Sequence, residues 1–392
     1  MKISVVGLGY VGLPVACAFA KAGVMVYGVD KNINLIGNLK DKLYNYKEPG
    51  LNEVLDSVLN RNLIVSDKIT VSDVYIITVQ TPINDDKSAD NSYVENAFIE
   101  LADYIKNDDI VILESTVSIG SNKRFYDTLR TRVNENIQFT YCYCPESILP
   151  GNIFHEIETN NRVIGGMNEQ DLQKVKHVYD IINKGNKELT SIPTAEFVKL
   201  VQNSHRDVEL AFVNQLSIMC DIEGVNVFDV IKIANNHPRC NLLEPSSGVG
   251  GHCIAVDPYF LIERYKDSAS LLKTARNINN YKPIYIAEKA IKCINYNKSK
   301  TIGVLGLSYK ANSEDCRESS GIKILKYLQE LGYKVIANEI NVKSSIIMDI
   351  VNAPVDDILK SCDVIIIAQK HSMYENIDFS NKNVIDCVNM LK

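Results

Sequence analysis

The first thirty residues leave this chain little freedom. Lys2-Ile3-Ser4-Val5-Val6 is a short, β-branched run of the kind that forms a buried strand. Gly7-Leu8-Gly9-Tyr10-Val11-Gly12 follows at once. Leu13 to Ala22 reads as a helix closed by Gly23, and Val24 to Val29 as a second strand ending at Asp30. Strand, glycine turn, helix, strand, acid is the order of a dinucleotide-binding βαβ unit. The glycines permit the tight turn and bring a pyrophosphate to the helix N-terminus, where free N–H groups and the helix dipole favour anions. Asp30, 18 residues beyond Gly12, is placed to accept ribose hydroxyls and to repel a 2′-phosphate, so NAD is expected over NADP.

The pattern continues. Val74–Val79 runs into Gln80-Thr81-Pro82, Ile110–Leu113 into Glu114-Ser115-Thr116-Val117, and Phe139–Cys142 into Cys144-Pro145-Glu146. Each apolar strand ends in polar residues, and ligands of open parallel sheets bind at that edge. Taken singly, such a loop also fits ordinary helix capping by Thr and Ser. Polar residues at 183–193 mark a domain edge, with Thr194 as an expected N-cap. Ala195 to about Glu223 is a long amphipathic helix in which Phe197, Val201, Val208, Ala211, Phe212 and Met219 form an apolar stripe. Lys199 and Asn203, four apart, leave one face together; alone the pair also fits a solvated surface. Val227–Ala234 is helical, and residues 268–294 are helical with an expected interruption at Pro283. Thr301–Leu307 opens a second strand–glycine–helix unit without an intact glycine fingerprint; strands at Lys334–Ala337, Val364–Ala368 and Val384–Asp386 follow. The fold class is therefore α/β: two Rossmann-like domains with parallel sheets, 1–190 and 299–392, joined by an all-helical central segment, 191–298, that contains the long helix.

Between the helices lies Gly248-Val249-Gly250-Gly251-His252-Cys253, with Asp257 four residues on. Glycines that present one thiol, with an imidazole and a carboxylate nearby, suit a nucleophilic cysteine. They also fit a glycine-rich turn around a buried Cys. His252 reads as a spacer or a proton relay. Zinc needs further ligands at spacings the chain does not offer, so no metal is expected. Composition narrows the partners. With 42 basic and 48 acidic residues, a formal charge of -6 disfavours nucleic acid and anionic membranes. Ten cysteines without a regular framework suggest reduced thiols. No apolar run reaches membrane-spanning length, and glycines break the signal-like start; a cytoplasmic protein is expected.

Taken together, GLGYVG at 7–12, QTP at 80–82, ESTV at 114–117, CPE at 144–146, VKLVQNS at 198–204, GVGGHC at 248–253, GLSYK at 306–310 and RESS at 317–320 resemble the UDP-glucose/GDP-mannose 6-dehydrogenase family over the whole length. The resemblance implies two NAD-dependent oxidations of a sugar C6 alcohol to a carboxylate, in a homodimer. It implies Cys253 as nucleophile, Lys199 with Asn203 for the oxyanion and water, and Asp257 behind them. Thr116 positions water and Glu146 relays protons. Gly7, Gly9, Tyr10, Val11, Gly12, Asp30, Thr81, Thr116 and Arg317 are implied for the cofactor. Glu146, Leu149, Lys199, Asn203, Arg239, Gly250 and Lys310 are implied for the UDP-sugar, with the glycines before Cys253 giving the sugar room. Pro150 stands where the UDP-glucose branch has a second Glu. Pro150, the RVIGG stretch at 162–166, His252 and Val256 resemble the UDP-N-acetylhexosamine branch. That branch implies UDP-N-acetylmannosamine ahead of UDP-N-acetylglucosamine and UDP-glucose, for surface polysaccharide synthesis.

Overall fold

A computed structural model describes residues 1–148 and 151–391. The expected substrate residue Leu149, and Pro150, lie outside them. The chain forms two compact units, Met1–Val201 and Gln202–Lys392, and the division falls inside the long helix.

The first unit is built on one sheet of β1 (Lys2–Val6), β2 (Met25–Val29), β3 (Leu63–Ser66), β4 (Val74–Ile77), β5 (Ile110–Leu113), β6 (Thr140–Tyr143), β7 (Arg162–Gly166) and β8 (Lys187–Ser191), in the order β3-β2-β1-β4-β5-β6-β7-β8. Every β4, β5 and β6 side chain but that of Ile110 is buried. Helices cover both faces of a parallel sheet, so its central strands read as unbroken apolar runs rather than alternating ones. All neighbours are parallel except β6 and β7, which pair antiparallel at Cys142–Gly166 and Tyr143–Gly165. The order reverses between β1 and β4, and a crevice at such a switch point is where α/β sheets hold ligands.

In the second unit β9 (Thr301–Leu305), β10 (Lys334–Asn338), β13 (Val364–Ile367) and β14 (Asn383–Asp386) form a parallel sheet ordered β10-β9-β13-β14. A short antiparallel pair, β11 (Ile346–Ile347) and β12 (Ile350–Val351), follows β10. Helices Val227–Ala234, Asp257–Tyr265 and Ser270–Cys293 precede this sheet.

Three local expectations are corrected. The long helix is Ile192–Glu223, three residues earlier than read, and Thr194 is not its cap. The Ser191 hydroxyl instead accepts the Thr194 N–H (3.3 Å) and bonds the Thr194 hydroxyl (2.9 Å). Pro193 falls in the first turn, where its missing N–H costs nothing. Helix Ser270–Cys293 runs through Pro283 without interruption. Pro283 is buried there, its ring filling the space beside Gly248, where a Cβ would lie 2.8 Å from Pro283 Cγ. Packing at both ends of the helix thus outweighs a proline cost of about 3 kcal/mol. Helix Asp257–Tyr265, with Pro258 in its first turn, was not read from the sequence at all.

Candidate active site

The glycine turn after β1 assigns each glycine its own task. Gly7 has φ +98°, which a residue with a Cβ adopts only at a cost. A Cβ on Gly12 would lie 1.9 Å from the Gly7 carbonyl oxygen, so this residue must be glycine for the helix to start against the strand. Gly9 is different: a Cβ there would meet nothing within 4 Å. The chain itself does not need a glycine at that position, whereas a pyrophosphate lying against the backbone does. Asp30 Oδ2 accepts the Leu8 N–H (2.7 Å) and Oδ1 the Asn32 N–H (2.8 Å), yet the residue stays half-exposed at the edge where a ribose would lie. These residues fit NAD. Val11 leads into helix Gly12–Lys21, and the Tyr10 hydroxyl donates to Glu48 Oε2 (3.0 Å). Glu48 was not singled out from the sequence. It is buried, and its carboxylate also accepts the N–H groups of Gly151 and Ile153 (both 2.8 Å).

The loops after β4 and β5 carry Thr81 and Thr116, both half-buried. Ser115 ties these loops together, its hydroxyl donating to the Val79 carbonyl (2.6 Å). Glu114 faces the other way. It is wholly buried, accepts Arg162 Nη1 (3.0 Å) and the Tyr179 hydroxyl (2.6 Å), and Arg162 stacks over the Tyr179 ring at 4.5 Å. Burial raises the Glu114 carboxyl despite the opposing Arg162 charge. The β5 edge is thus held rigid from behind.

Lys199 is buried, and its ammonium donates to the Glu146 carbonyl (2.8 Å) and to Glu146 Oε1 (3.2 Å). Glu146 Oε2 accepts the Ile148 N–H (2.8 Å). The sequence placed Lys199 and Glu146 in one site, and the structure joins them as an ion pair. Three residues before Lys199 on its helix face, Glu196 is buried and caps helix Ser121–Arg132. It accepts the Gly120 N–H (2.7 Å), the Asn122 N–H (3.0 Å) and Asn122 Nδ2 (2.9 Å). Nothing local in the sequence signals this bond, whose partners lie over seventy residues apart.

In the second unit Asn203 Nδ2 donates to Asp257 Oδ2 (2.5 Å), and Asp257 opens the helix that follows Cys253. Cys253 is half-buried, and its loop is pinned to the segment 309–320. Gly251 N–H donates to the Arg317 carbonyl (3.2 Å). A Cβ on Gly250 would lie 2.6 Å from the Glu318 carbonyl oxygen, and one on Gly251 2.9 Å from the Tyr309 ring. The space expected for the sugar at Gly248, Gly250 and Gly251 is therefore filled by the chain's own Pro283, Ser320, Glu318 and Tyr309. These glycines let the loop dock. Arg317 holds Asp315 (Nε–Oδ1 2.9 Å, Nη2–Oδ2 2.5 Å) and donates to His252 Nδ1 (3.3 Å), which leaves the imidazole proton on Nε2. Burial pushes Asp315 up, but the Arg317 bonds outweigh it and keep its carboxyl below the usual range. Lys310 is exposed beyond β9, and Arg239 is exposed in the turn after helix Val227–Ala234.

The NAD binding domain of the UDP-glucose/GDP-mannose dehydrogenase family matches residues 1–183, its central domain 193–281 and its UDP binding domain 303–392. A UDP-N-acetyl-D-mannosamine dehydrogenase of Methanocaldococcus jannaschii is 34% identical, covering 100% of this chain and 92% of the relative. An NDP-N-acetyl-D-galactosaminuronic acid dehydrogenase of Ralstonia nicotianae is 35% identical over 96% of this chain and 92% of its own length. The solved UDP-D-ManNAc dehydrogenase of Pyrococcus horikoshii superposes with a TM-score of 0.93 at 32% identity, covering 100% of this chain and 96% of that one. A fingerprint glycine that only a cofactor requires, a buried lysine on a conformationally fixed glutamate and a thiol on a docked glycine loop agree with those matches: this chain belongs to the UDP-glucose/GDP-mannose dehydrogenase family, whose members are NAD-dependent oxidoreductases.

Proposed function

We propose that the protein oxidises the C6 hydroxyl of a UDP-N-acetylhexosamine to the carboxylate, with UDP-N-acetylmannosamine as its preferred substrate. The observation that carries this reading is the Cys253 loop, a half-buried thiol on a backbone pinned at four points to residues 283, 309, 317–318 and 320. Bound NAD supplies hydride acceptance, two electrons at a time. An alcohol-to-acid oxidation removes four, so the half-oxidised sugar must be held between steps. Cys253 does this by adding its sulfur to the C6 aldehyde, giving a thiohemiacetal that is oxidised in turn to a thioester. Water then attacks the thioester carbonyl, and the thiol leaves with the proton. Lys199 stabilises the oxyanion of the adducts, with its charge buried and steered by Glu146. Asn203 and Asp257 hold the water, Thr116 positions it, and Glu146 accepts its proton. Gly7, Gly9, Gly12, Asp30, Thr81 and Arg317 hold the cofactor. Lys310, with Arg239 and Leu149, meets the UDP-sugar.

The sugar assignment follows the names of the archaeal relatives, and the Ralstonia relative makes the N-acetylgalactosamine sugar, which differs from the mannosamine at C2 and C4, the competing substrate. Three functional parts, 1–190, 191–298 and 299–392, and a place in the cytoplasm supplying surface polysaccharide synthesis complete the reading. So does a homodimer across the long helix, where Phe197, Val201, Phe212 and Met219 are each at least 40% exposed. No helix among the described residues is long and apolar enough to cross a membrane.

The test is an assay of the purified protein with UDP-N-acetylmannosamine, UDP-N-acetylgalactosamine, UDP-N-acetylglucosamine and UDP-glucose side by side. Two NADH per sugar are expected, fastest with the first, and Cys253→Ala is expected to bind NAD without turnover. One NADH per sugar, or turnover by Cys253→Ala, overturns the mechanism; preference for UDP-glucose overturns the substrate. Light scattering at twice the monomer mass checks the dimer.

A further inference from the structure

The two glycine turns of this chain are built alike and finished differently. After β1, Asp30 at the end of β2 accepts the N–H of Leu8, the residue following the turn glycine (2.7 Å). After β9, Glu339 at the end of β10 accepts the N–H of Leu307, which follows Gly306 (2.8 Å), and that of Ser308 (2.7 Å). Asp30 is half-exposed, whereas Glu339 is 0% exposed. A histidine, His371, itself 0% exposed, covers it. His371 Nδ1 accepts the backbone N–H of Asn312 (2.9 Å), so the ring proton sits on Nε2, 3.1 Å from Glu339 Oε2 and 3.3 Å from the Ser308 hydroxyl. Asn341 Nδ2 bridges His371 Nδ1 (2.9 Å) and Glu339 Oε1 (3.2 Å). Ser308 passes the contact on by donating to the Lys310 carbonyl (2.8 Å), and Asn312 Oδ1 accepts the Ser372 N–H (3.0 Å).

An acid sealed in this way is not available to a ribose, so the second turn does not repeat the first one's task. Its bonds converge on one short loop, 307–312, whose exposed residues are Lys310 and Asn312, and Lys310 is the one that carries a positive charge. A buried, fully bonded network fixes a loop before any ligand arrives and removes the ordering cost from binding. Burial pushes the Glu339 carboxyl up, but the bonds from His371, Asn341 and Ser308 outweigh it and keep it ionised below the usual range.

We propose that His371 and Glu339 are positioning residues, a buried clamp that presets the Lys310 loop to receive the diphosphate of the nucleotide sugar. The inference rests on the assignment of Lys310 to the UDP-sugar made above, and narrows it to the diphosphate. UDP is the probe, and the full-length protein is titrated with it by calorimetry while amide exchange is read over 307–312. His371→Phe keeps a ring but loses the four polar contacts. It is expected to raise the UDP Kd at least tenfold and speed exchange in the loop, with the NAD Kd within twofold of wild type. His371→Asn, which restores an acceptor near Nδ1, is expected to recover part of the loss. Glu339→Gln, nearly isosteric, carries the same test if His371→Phe does not fold. Unchanged loop exchange, or an unchanged UDP Kd, in the folded variant overturns the clamp. Lys310→Met separates the two ideas. Loss of UDP affinity in Lys310→Met without loss in His371→Phe and Glu339→Gln sinks the clamp alone. Wild-type affinity in Lys310→Met sinks the assignment beneath it.

Discussion

Replacing Gly250 by alanine tests whether the glycines before Cys253 serve the loop or the sugar. The new Cβ would sit 2.6 Å from the Glu318 carbonyl oxygen, 3.1 Å from Tyr309 Cβ and 3.2 Å from the Glu318 carbonyl carbon. The nearest obstacle is backbone, which cannot rotate away. It is anchored next door by the Arg317 carbonyl, acceptor of the Gly251 N–H at 3.2 Å. Relief therefore requires the two segments to part by several tenths of an ångström. Overpacking of this kind costs about 1–3 kcal/mol. At roughly 2–4 °C per kcal/mol, melting of the unit should fall by a few degrees. A ~1 Å misplacement costs about 10²-fold, so a shift of several tenths of an ångström carried to the sulfur is expected to lower kcat by about tenfold. The fingerprint glycines lie in the other unit, so any loss of NAD affinity reports displacement of Arg317 alone. The assay is NADH formation at saturating substrate, with a melting curve and NAD titration on the same preparation. Gly250→Ala with the melting temperature and kcat of wild type would refute the docking argument. A raised KM for the sugar with unchanged kcat and melting would restore the view that Gly250 makes room for substrate.

Further tests separate packing from ligand contacts. Gly9→Ala meets no protein atom, so its melting temperature should match wild type while its NAD Kd rises at least tenfold; unaltered NAD affinity would contradict the assignment of that open space to the cofactor. Glu196→Ala strands three donors at Gly120 and Asn122 and is expected to cost about 3 kcal/mol in urea unfolding, from about 1 kcal/mol for each bond lost. Burial lifts the Asp109 carboxyl to about 6, above its unfolded value of 3.8, so its protonated form is favoured by the fold. Its stabilisation is complete below pH 3.8 and declines as pH rises to about 6. Asp109→Asn, which keeps the acceptor for the Lys106 N–H, should therefore gain on the order of 1 kcal/mol over wild type at pH 7 and nothing at pH 3.5, as denaturation at both values will show. Burial pushes the Cys17 and Cys316 thiols up to about 12 and Cys144 to about 11, so iodoacetamide should label exposed Cys240 and Cys293 quickly and lose activity in step with Cys253. Inactivation that tracks Cys240 or Cys293 instead would argue against Cys253.

Much of this was legible because its signals are local. The turn at 7–12 lies between two strands that pair in register, Lys2 with Met25 through Val6 with Val29, and the four-residue spacing of Lys199 and Asn203 puts them on one long helix. What escaped depends on residues far apart in the chain. Glu196 caps a helix that begins at Ser121, and His371 closes on a loop sixty residues earlier. Pro283 looks like a break until Gly248 is seen beside its ring, and the reversal at β7 has no mark in its apolar sequence. The glycines before Cys253 were recognised as necessary but given the wrong neighbour. A missing side chain tells that something comes close, and only the fold says what.

The docking of the 248–253 loop also has a consequence in time. Chains emerge from the ribosome N-terminus first, and domains fold as they appear. When the residues up to 298 have emerged, the strands and glycine turn of the first unit are complete. Tyr309, Arg317, Glu318 and Ser320, the surface on which the thiol-bearing loop rests, are not yet made. The nascent protein thus acquires its cofactor fold well before the Cys253 loop is set in place, and an interrupted chain ends as a nucleotide binder with that loop undocked.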